Sequence, residues 1–307
     1  MKIGLIGLGS MGYALMGNLL DNGHEVVAWN RSQEKRDKAR AETNAEVVET
    51  VGELVEKLDN PKIIFSIISA GEPIDQLLFG TEGVDGLAEM LNGDDIFVDL
   101  ANSHYKDSVR RAEQLAEKGI TMLDVGISGG VDGARSGACC MVGGNSRAFE
   151  LLEPIFRDIT VVNGYGYFGG NGAGHYVKMV HNGIEYGMMQ AIAEGVSMVH
   201  HKQDYEVDVE KLLGVWNSGS IIQSRLVGFL KQAYEQDPGL EKERAEVGSL
   251  GTGRWTVEEA LREGIPVPNI ANAVFARYNS RFENFHGWKV VQAMRRVFGA
   301  HSSSDRG

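Results

Sequence analysis

The stretch KMVHNGIEYG, residues 178–187, carries four side chains able to bind a ligand or move a proton. Wound as a helix at about 100° per residue, it gathers Lys178, His181, Asn182 and Glu185 into about a quarter of the circumference. Lys178 and Glu185 then stand about 10 Å apart along the axis. That is too far for the direct pairing of side chains four apart, and it suits flanking a bound molecule with His181 and Asn182 between them. A lysine taken out of water has its pKa lowered towards neutrality, and a buried glutamate has its own raised. Such a pair can act as general base and general acid. Lys and Glu are seldom buried without partners, so a second reading stays open, in which both tips reach solvent or meet charges on other helices. The rest of the helix surface, continued through MMQAIAEGVSMV (188–199), is apolar or small. Met179, Val180, Ile184, Met188, Ala191, Ile192, Val196 and Met198 nearly encircle it, which predicts an interior element.

Three further motifs bear on binding. GLGSMG (7–12) satisfies GxGxxG directly after one apolar run and at the opening of a helical pattern. In that context Gly7 permits the turn, Gly9 lets a pyrophosphate approach the backbone, and Gly12 allows close packing of helix on strand. The diphosphate would meet the first-turn N–H groups, at Ser10 and Met11, where the helix dipole favours an anion. The second strand ends in WNRS (29–32), where an NAD site usually carries Asp or Glu for the ribose hydroxyls. Asn30 is neutral, and Arg31, followed by Ser32, can offer charge-assisted bonds to a 2′-phosphate. The reading tilts to NADP over NAD, unless Arg31 is only the exposed residue that opens a helix. GISGGVDGARSG (126–137) also follows a strand, at the end where parallel sheets bind ligands. Gly129 and Gly130 leave backbone N–H groups accessible and Ser128 adds a hydroxyl, although a tight turn alone would use the same glycines. GTGRWT (251–256), FARYNSRF (275–282) and MRRVFGAH (294–301) are basic or hydroxyl-bearing islands. Separately each reads as a solvated face or a cap; jointly they supply the positive potential that a phosphate or carboxylate needs.

The elements that must position these residues alternate in the first half. MKIGLIG (1–7), HEVVAWN (24–30), KIIFSII (62–68), DIFVDL (95–100), TMLDVGIS (121–128), ACCMVGG (138–144) and ITVVNG (159–164) read as strands. Between them lie helical patterns such as MGYALMGNLLDNG, EPIDQLLF and SRAFELLEPIF. This alternation predicts a parallel sheet covered on both faces. After residue 166 the strand signal fades into helices over 174–201, 208–216, 219–235, 256–263, 268–280 and 285–297. The expected fold is an α/β Rossmann-type N-terminal domain (1–166) followed by an all-α C-terminal domain (167–307), with the glycine-rich NGYGYFGGNGAGH as the boundary. Only the final SSSDRG reads as disordered.

A chain of 307 residues suits one large or two medium domains. Its formal net charge of −12 argues against non-specific binding to nucleic acid or to a membrane surface. Any anionic ligand must be drawn in by a local basic cluster. The two cysteines, Cys139 and Cys140, are adjacent and poorly placed to bridge, and no ligand cluster suggests a metal. With no leader pattern and no apolar run near the roughly 20 residues of a membrane span, the expected setting is cytoplasmic.

In this order, GLIGLGSMG, GISGGVDGARSG, GHYVKMVHNGIEYGMMQ, GTGRWT, VFAR and FGAH make the chain resemble, nearly end to end, the decarboxylating 6-phosphogluconate dehydrogenases within the β-hydroxyacid dehydrogenase superfamily. The resemblance implies oxidation at carbon 3 with Lys178 as general base, loss of carbon dioxide, and protonation at carbon 1 by Glu185. It implies that Asn102, Ser128, Gly129, Gly130, His181 and Asn182 hold the sugar acid's carboxylate and hydroxyls, with Asn102 also against the cofactor. Tyr186, Thr252 and Arg277 would hold the phosphate. Arg295 and His301 match tail residues that, in the family, reach into a neighbouring subunit's site, which implies a homo-oligomer, dimer or tetramer. No metal is implied. The chain departs from the long members in length, in Leu250 where they carry a lysine, and in GACCMVGG for GPSLMPGG. Family branches differ between NAD and NADP. Two rivals remain: a 3-hydroxyisobutyrate-type dehydrogenase or semialdehyde reductase, which needs neither Glu185 nor the Arg277, Arg295 and His301 cluster, and a nucleotide sensor without turnover.

Overall fold

Eight short stretches form strands β1 (Lys2–Ile6), β2 (Glu25–Trp29), β3 (Glu46–Val47), β4 (Ile63–Ser66), β5 (Ile96–Asp99), β6 (Thr121–Ser128), β7 (Ala138–Gly144) and β8 (Thr160–Tyr167). The computed structural model describes residues 1–299 apart from Gln203 and Leu250; the final SSSDRG and His301 also lie outside the described residues. The strands join in one sheet, in the order β3-β2-β1-β4-β5-β6-β7-β8. Neighbours run parallel except β6 and β7, which are antiparallel, so the expectation of a parallel sheet is corrected there. The reason is chain length. Residues 129–137 hold only the short helix Gly130–Ser136, whereas a parallel crossover takes roughly a dozen or more residues.

The helices of this half are α1 (Ser10–Asp21), α2 (Gln33–Glu42), α3 (Val51–Glu56), α4 (Glu72–Phe79), α5 (Tyr105–Ala116), α6 (Gly130–Ser136) and α7 (Ser146–Ile159). Alternate strand residues feed two cores, as the period of two requires. Ile63, Phe65, Ile96 and Val98 pack with Leu15 and Leu19 of α1 and Ile155 and Phe156 of α7. Ile64 and Phe97 face the other way, onto Leu54 of α3, Ile74 and Leu78 of α4, and Leu115 of α5. Both faces are therefore covered.

The remaining helices are α8 (Ala173–His201), α9 (Val209–Trp216), α10 (Arg225–Gln236), α11 (Thr252–Glu263), α12 (Pro268–Asn279) and α13 (His286–Gly299). The chain divides into two compact units, Met1–His181 and Asn182–Gly307, and α8 contributes to each. Two helix starts differ from expectation. Helix α10 begins at Arg225 because the Ser224 hydroxyl accepts the Val227 N–H and caps it. Helix α11 begins at Thr252, opened by Gly251 in the left-handed region at φ +99°. The prediction of an interior α8 is also corrected: within the chain Ile184, Met188 and Met198 are 53%, 42% and 77% exposed. Among the described residues no helix is long and apolar enough to cross a membrane.

Candidate active site

The glycine motif forms the turn between β1 and α1. Gly7 adopts φ +107°, which favours glycine. A Cβ on Gly12 would lie 1.9 Å from the Gly7 carbonyl oxygen, so only glycine lets α1 start so close to the strand. A Cβ on Gly9 would meet nothing within 4 Å. The backbone there borders open space at a helix start, and no side chain caps the first turn of Ser10 and Met11. A cradle of bare backbone at a positive helix end fits a dinucleotide's pyrophosphate. The Asn30 side-chain oxygen accepts the Leu8 N–H at 2.9 Å, which ties the glycine turn to the end of β2. Arg31 is exposed, and the Ser32 hydroxyl accepts no N–H from α2. Arg36, which the sequence reading passed over, donates from Nη1 to the Asn30 and Arg31 carbonyls at 2.6 and 3.1 Å. One arginine among the charges of QEKRDKAR gave no signal that it would fold inward.

The residues of the first unit expected to hold a sugar acid come from three places in the fold. Strand β6 ends in Ser128, and Gly129 and Gly130 turn into α6 at φ +120° and +66°. Lys178 on α8 is only 8% exposed. Its Nζ lies 3.5 Å from His181 Nδ1, and the opposite nitrogen, Nε2, lies 3.3 Å from Ser128 Oγ. The imidazole therefore stands between the amine and the hydroxyl, with a polar atom at each nitrogen. Asn102 follows β5 on a segment fixed by Asp99, whose carboxylate accepts the Ala101 N–H and the Ser103 hydroxyl.

In the second unit Asn182 Nδ2 donates to Thr252 Oγ1 at 3.4 Å, and Thr252 is buried at the start of α11. Glu185 is half-buried, one turn on along α8. The Arg277 guanidinium stacks 3.6 Å from the Tyr186 ring centroid and donates to the Gly248 carbonyl at 2.8 Å. The Tyr186 hydroxyl lies 3.3 Å from Ser249 Oγ, a neighbour the sequence reading did not single out. The ring also explains the second glycine of GTG, since a Cβ on Gly253 would stand 2.4 Å from Tyr186 Cδ2. Hydroxyls and a guanidinium thus converge at one helix start, a composition suited to a phosphate. Arg295 is exposed on α13.

Residues 2–169 match the family described as the NAD binding domain of 6-phosphogluconate dehydrogenase. Residues 174–287 match that described as the 6-phosphogluconate dehydrogenase C-terminal domain. The Bacillus subtilis protein YqeC is 42% identical over 306 residues, 100% of both chains. A Haloferax volcanii protein named as an NAD(+)-dependent, decarboxylating 6-phosphogluconate dehydrogenase is 40% identical over 303 residues, 98% of each chain. Among solved structures, Plasmodium falciparum 6-phosphogluconate dehydrogenase, described apo, with NADP+ and with 6-phosphogluconate, matches with a TM-score of 0.83 at 29% identity. That match covers 100% of this chain and 67% of the other.

Proposed function

Because this chain belongs to the 6-phosphogluconate dehydrogenase family, we propose that it converts 6-phosphogluconate to ribulose 5-phosphate and carbon dioxide. A nicotinamide cofactor, held at Gly7, Gly9, Ser10, Met11 and Gly12 with Asn30, Arg31, Ser32 and Asn102, supplies the hydride acceptor. Lys178 takes the proton from the carbon 3 hydroxyl. Its burial beside His181 supports the role, since it holds the amine out of bulk water next to a second polar side chain. Oxidation leaves a β-keto acid, whose carbonyl accepts the electron pair as carbon dioxide departs. Glu185 then delivers a proton to carbon 1 of the enediol. Ser128, Gly129, Gly130, Asn102, His181 and Asn182 orient the carboxylate and hydroxyls, and Tyr186, Thr252 and Arg277 take the phosphate. The observation that carries this reading is α8, one helix bearing Lys178, His181, Asn182, Glu185 and Tyr186 in sequence.

Arg31 and Ser32 support a 2′-phosphate, so NADP is the cofactor of choice with NAD as the alternative. The division into a dinucleotide-binding domain (1–166) and a helical domain (167–307) is part of the proposal, supported by the end of the last strand at Tyr167. The chain works in the cytoplasm as a dimer or tetramer, with Arg295 and His301 of one copy completing the site of another. Exposed Trp288, Val290, Val291 and Met294 on α13 support a partner there.

One assay tests the function. Purified protein is given 6-phosphogluconate with NADP or NAD, and reduced nicotinamide and carbon dioxide are followed together. Both should appear in equal amounts. Reduction without carbon dioxide would favour the 3-hydroxyisobutyrate-type rival, and neither product would favour a sensor.

A further inference from the structure

Strand β6 and the start of α8 meet along one line. Residues two apart on a strand share a face, and three such residues of β6, Asp124, Gly126 and Ser128, each touch the helix or the turn before it. Ser128 reaches His181. A Cβ on Gly126 would lie 2.2 Å from Lys178 Cβ and 2.7 Å from its Cγ, so the lysine stem rests on bare backbone. At the other end the Asp124 carboxylate, 1% exposed, accepts the N–H groups of Gly172 at 2.7 Å and His175 at 2.8 Å. These are donors that a helix start cannot satisfy from within, and negative charge there is favoured by the dipole. Gly174 makes the approach possible, since its Cβ would stand 2.2 Å from the Asp124 carbonyl oxygen.

His175 is pinned in turn. Its ring is buried, Ser108 Oγ of α5 lies 2.7 Å from Nδ1, and Nε2 has no hydrogen-bond partner among the described residues. The nearer Asp124 oxygen is 4.0 Å from Nδ1, an ion-pair distance rather than a hydrogen bond. Burial pushes the Asp124 carboxyl up, with the charge of His175 and the two N–H bonds pulling the other way. A neutral Ser or Asn would cap a helix at less desolvation cost. The carboxylate sits where α8 begins, less than one turn from Lys178.

Resting on the base role of Lys178 above, we propose that Asp124 is a positioning residue for that lysine: with His175 and Ser108 it anchors the first turn of α8 to β6 and so fixes the amine beside His181. A displacement of about 1 Å at a reacting group costs on the order of a hundredfold in rate, which sets the scale of the test.

Asp124→Asn, Ser108→Ala and Ser108→Thr are compared with the wild-type chain for kcat, KM for 6-phosphogluconate, cofactor affinity and Tm. Asp124→Asn should lower kcat roughly ten- to a hundredfold while KM and cofactor affinity stay within about threefold. Ser108→Ala should lower kcat by a smaller factor, and Ser108→Thr, which keeps the hydroxyl, should restore it. If Asp124→Asn does not fold, the Ser108 pair decides. Unchanged kcat in the folded variants overturns the proposal. So does a loss in which kcat, cofactor affinity and Tm fall together and Ser108→Thr restores nothing. A wild type that does not turn over 6-phosphogluconate overturns the base role of Lys178 and this proposal with it, whereas an active wild type with unaffected variants overturns the proposal alone.

Discussion

Lys178 is held by its surroundings at both ends of its side chain, at the stem by the bare Gly126 backbone and at the amine by His181. Such a lysine has little freedom to be replaced. Lys178→Ala is expected to lower kcat by about 10²–10⁴-fold, the usual contribution of a general base, with KM for the sugar acid changed far less; steady-state kinetics read both. A variant that kept near-normal kcat would remove Lys178 from the mechanism. Arg31 is the opposite case, its side chain exposed just past the end of β2. Arg31→Ala should weaken NADP by roughly ten- to a hundredfold, the loss of one charge-assisted bond, and leave NAD within about threefold. Equal loss of both cofactors would mean that Arg31 shapes the turn and reads no phosphate. The grouping of Lys178, His181 and Asn182 was legible in the sequence, because they lie within one helical turn or so and their spacing is local. The pairing of Tyr186 with Arg277, and of Asp124 with the start of α8, joins residues distant in the chain. Periodicity carries no record of such contacts.

Elements were legible where the chain punctuates itself. The first strand, turn and helix follow from the glycines, and two of those glycines should fail in different ways. Gly12→Ala forces a methyl to 1.9 Å from the Gly7 oxygen, so it should lower Tm and cofactor affinity together. Gly9→Ala meets nothing in the folded chain and should leave Tm nearly unchanged while cofactor affinity falls. Thermal melts beside a fluorescence titration of reduced cofactor separate the two; a Tm loss in Gly9→Ala as large as in Gly12→Ala would contradict the open cradle. Less legible were the elements set by side-chain capping or by chain length. Nothing in SIIQSRL marks Ser224 over its neighbours as the cap of α10. The reversal at β7 depends on how few residues lie between Ser128 and Ala138, a count that apolar patterning ignores. Helix α8 misled for a related reason: its apolar circumference was read as burial within one chain, yet Ile184, Met188 and Met198 lie exposed there.

At the scale of the whole chain, stability at low pH depends on a buried charge network. Arg111 is fully buried and bonds Asp75 through Nε and Nη2, the Gly71 carbonyl, and Ser103, with Asp99 3.7 Å away. Burial alone would raise the Asp75 carboxyl, but hydrogen bonds from Arg111 and Arg110 outweigh it and hold the group below its ordinary value. A depressed carboxylate contributes stability above its unfolded pKa and loses it as pH falls through the folded one. Asp75→Asn should therefore cost roughly 1–2 kcal/mol at pH 7, less than a fully buried pair because the carboxylate is 30% exposed while Arg111 is not. The deficit should start to shrink as pH drops below about 4, where the unfolded chain takes up the proton, and vanish once the lower-titrating folded carboxyl is protonated too. Urea unfolding at a series of pH values measures it; a deficit that stayed constant down to pH 2 would place the effect in shape and not in charge.

The tie between Leu8 and Asn30 bears on how such a protein changes coenzyme. What grips the glycine turn is a side-chain oxygen at 2.9 Å, and aspartate presents the same atom at the same reach. Asn30→Asp would leave the scaffold standing while setting a negative charge beside Arg31, where the proposed site would seat a second phosphate group. Allegiance to one dinucleotide or the other is thus separable from the architecture that holds both, and a lineage could cross between them by a single-nucleotide codon change without passing through a broken fold.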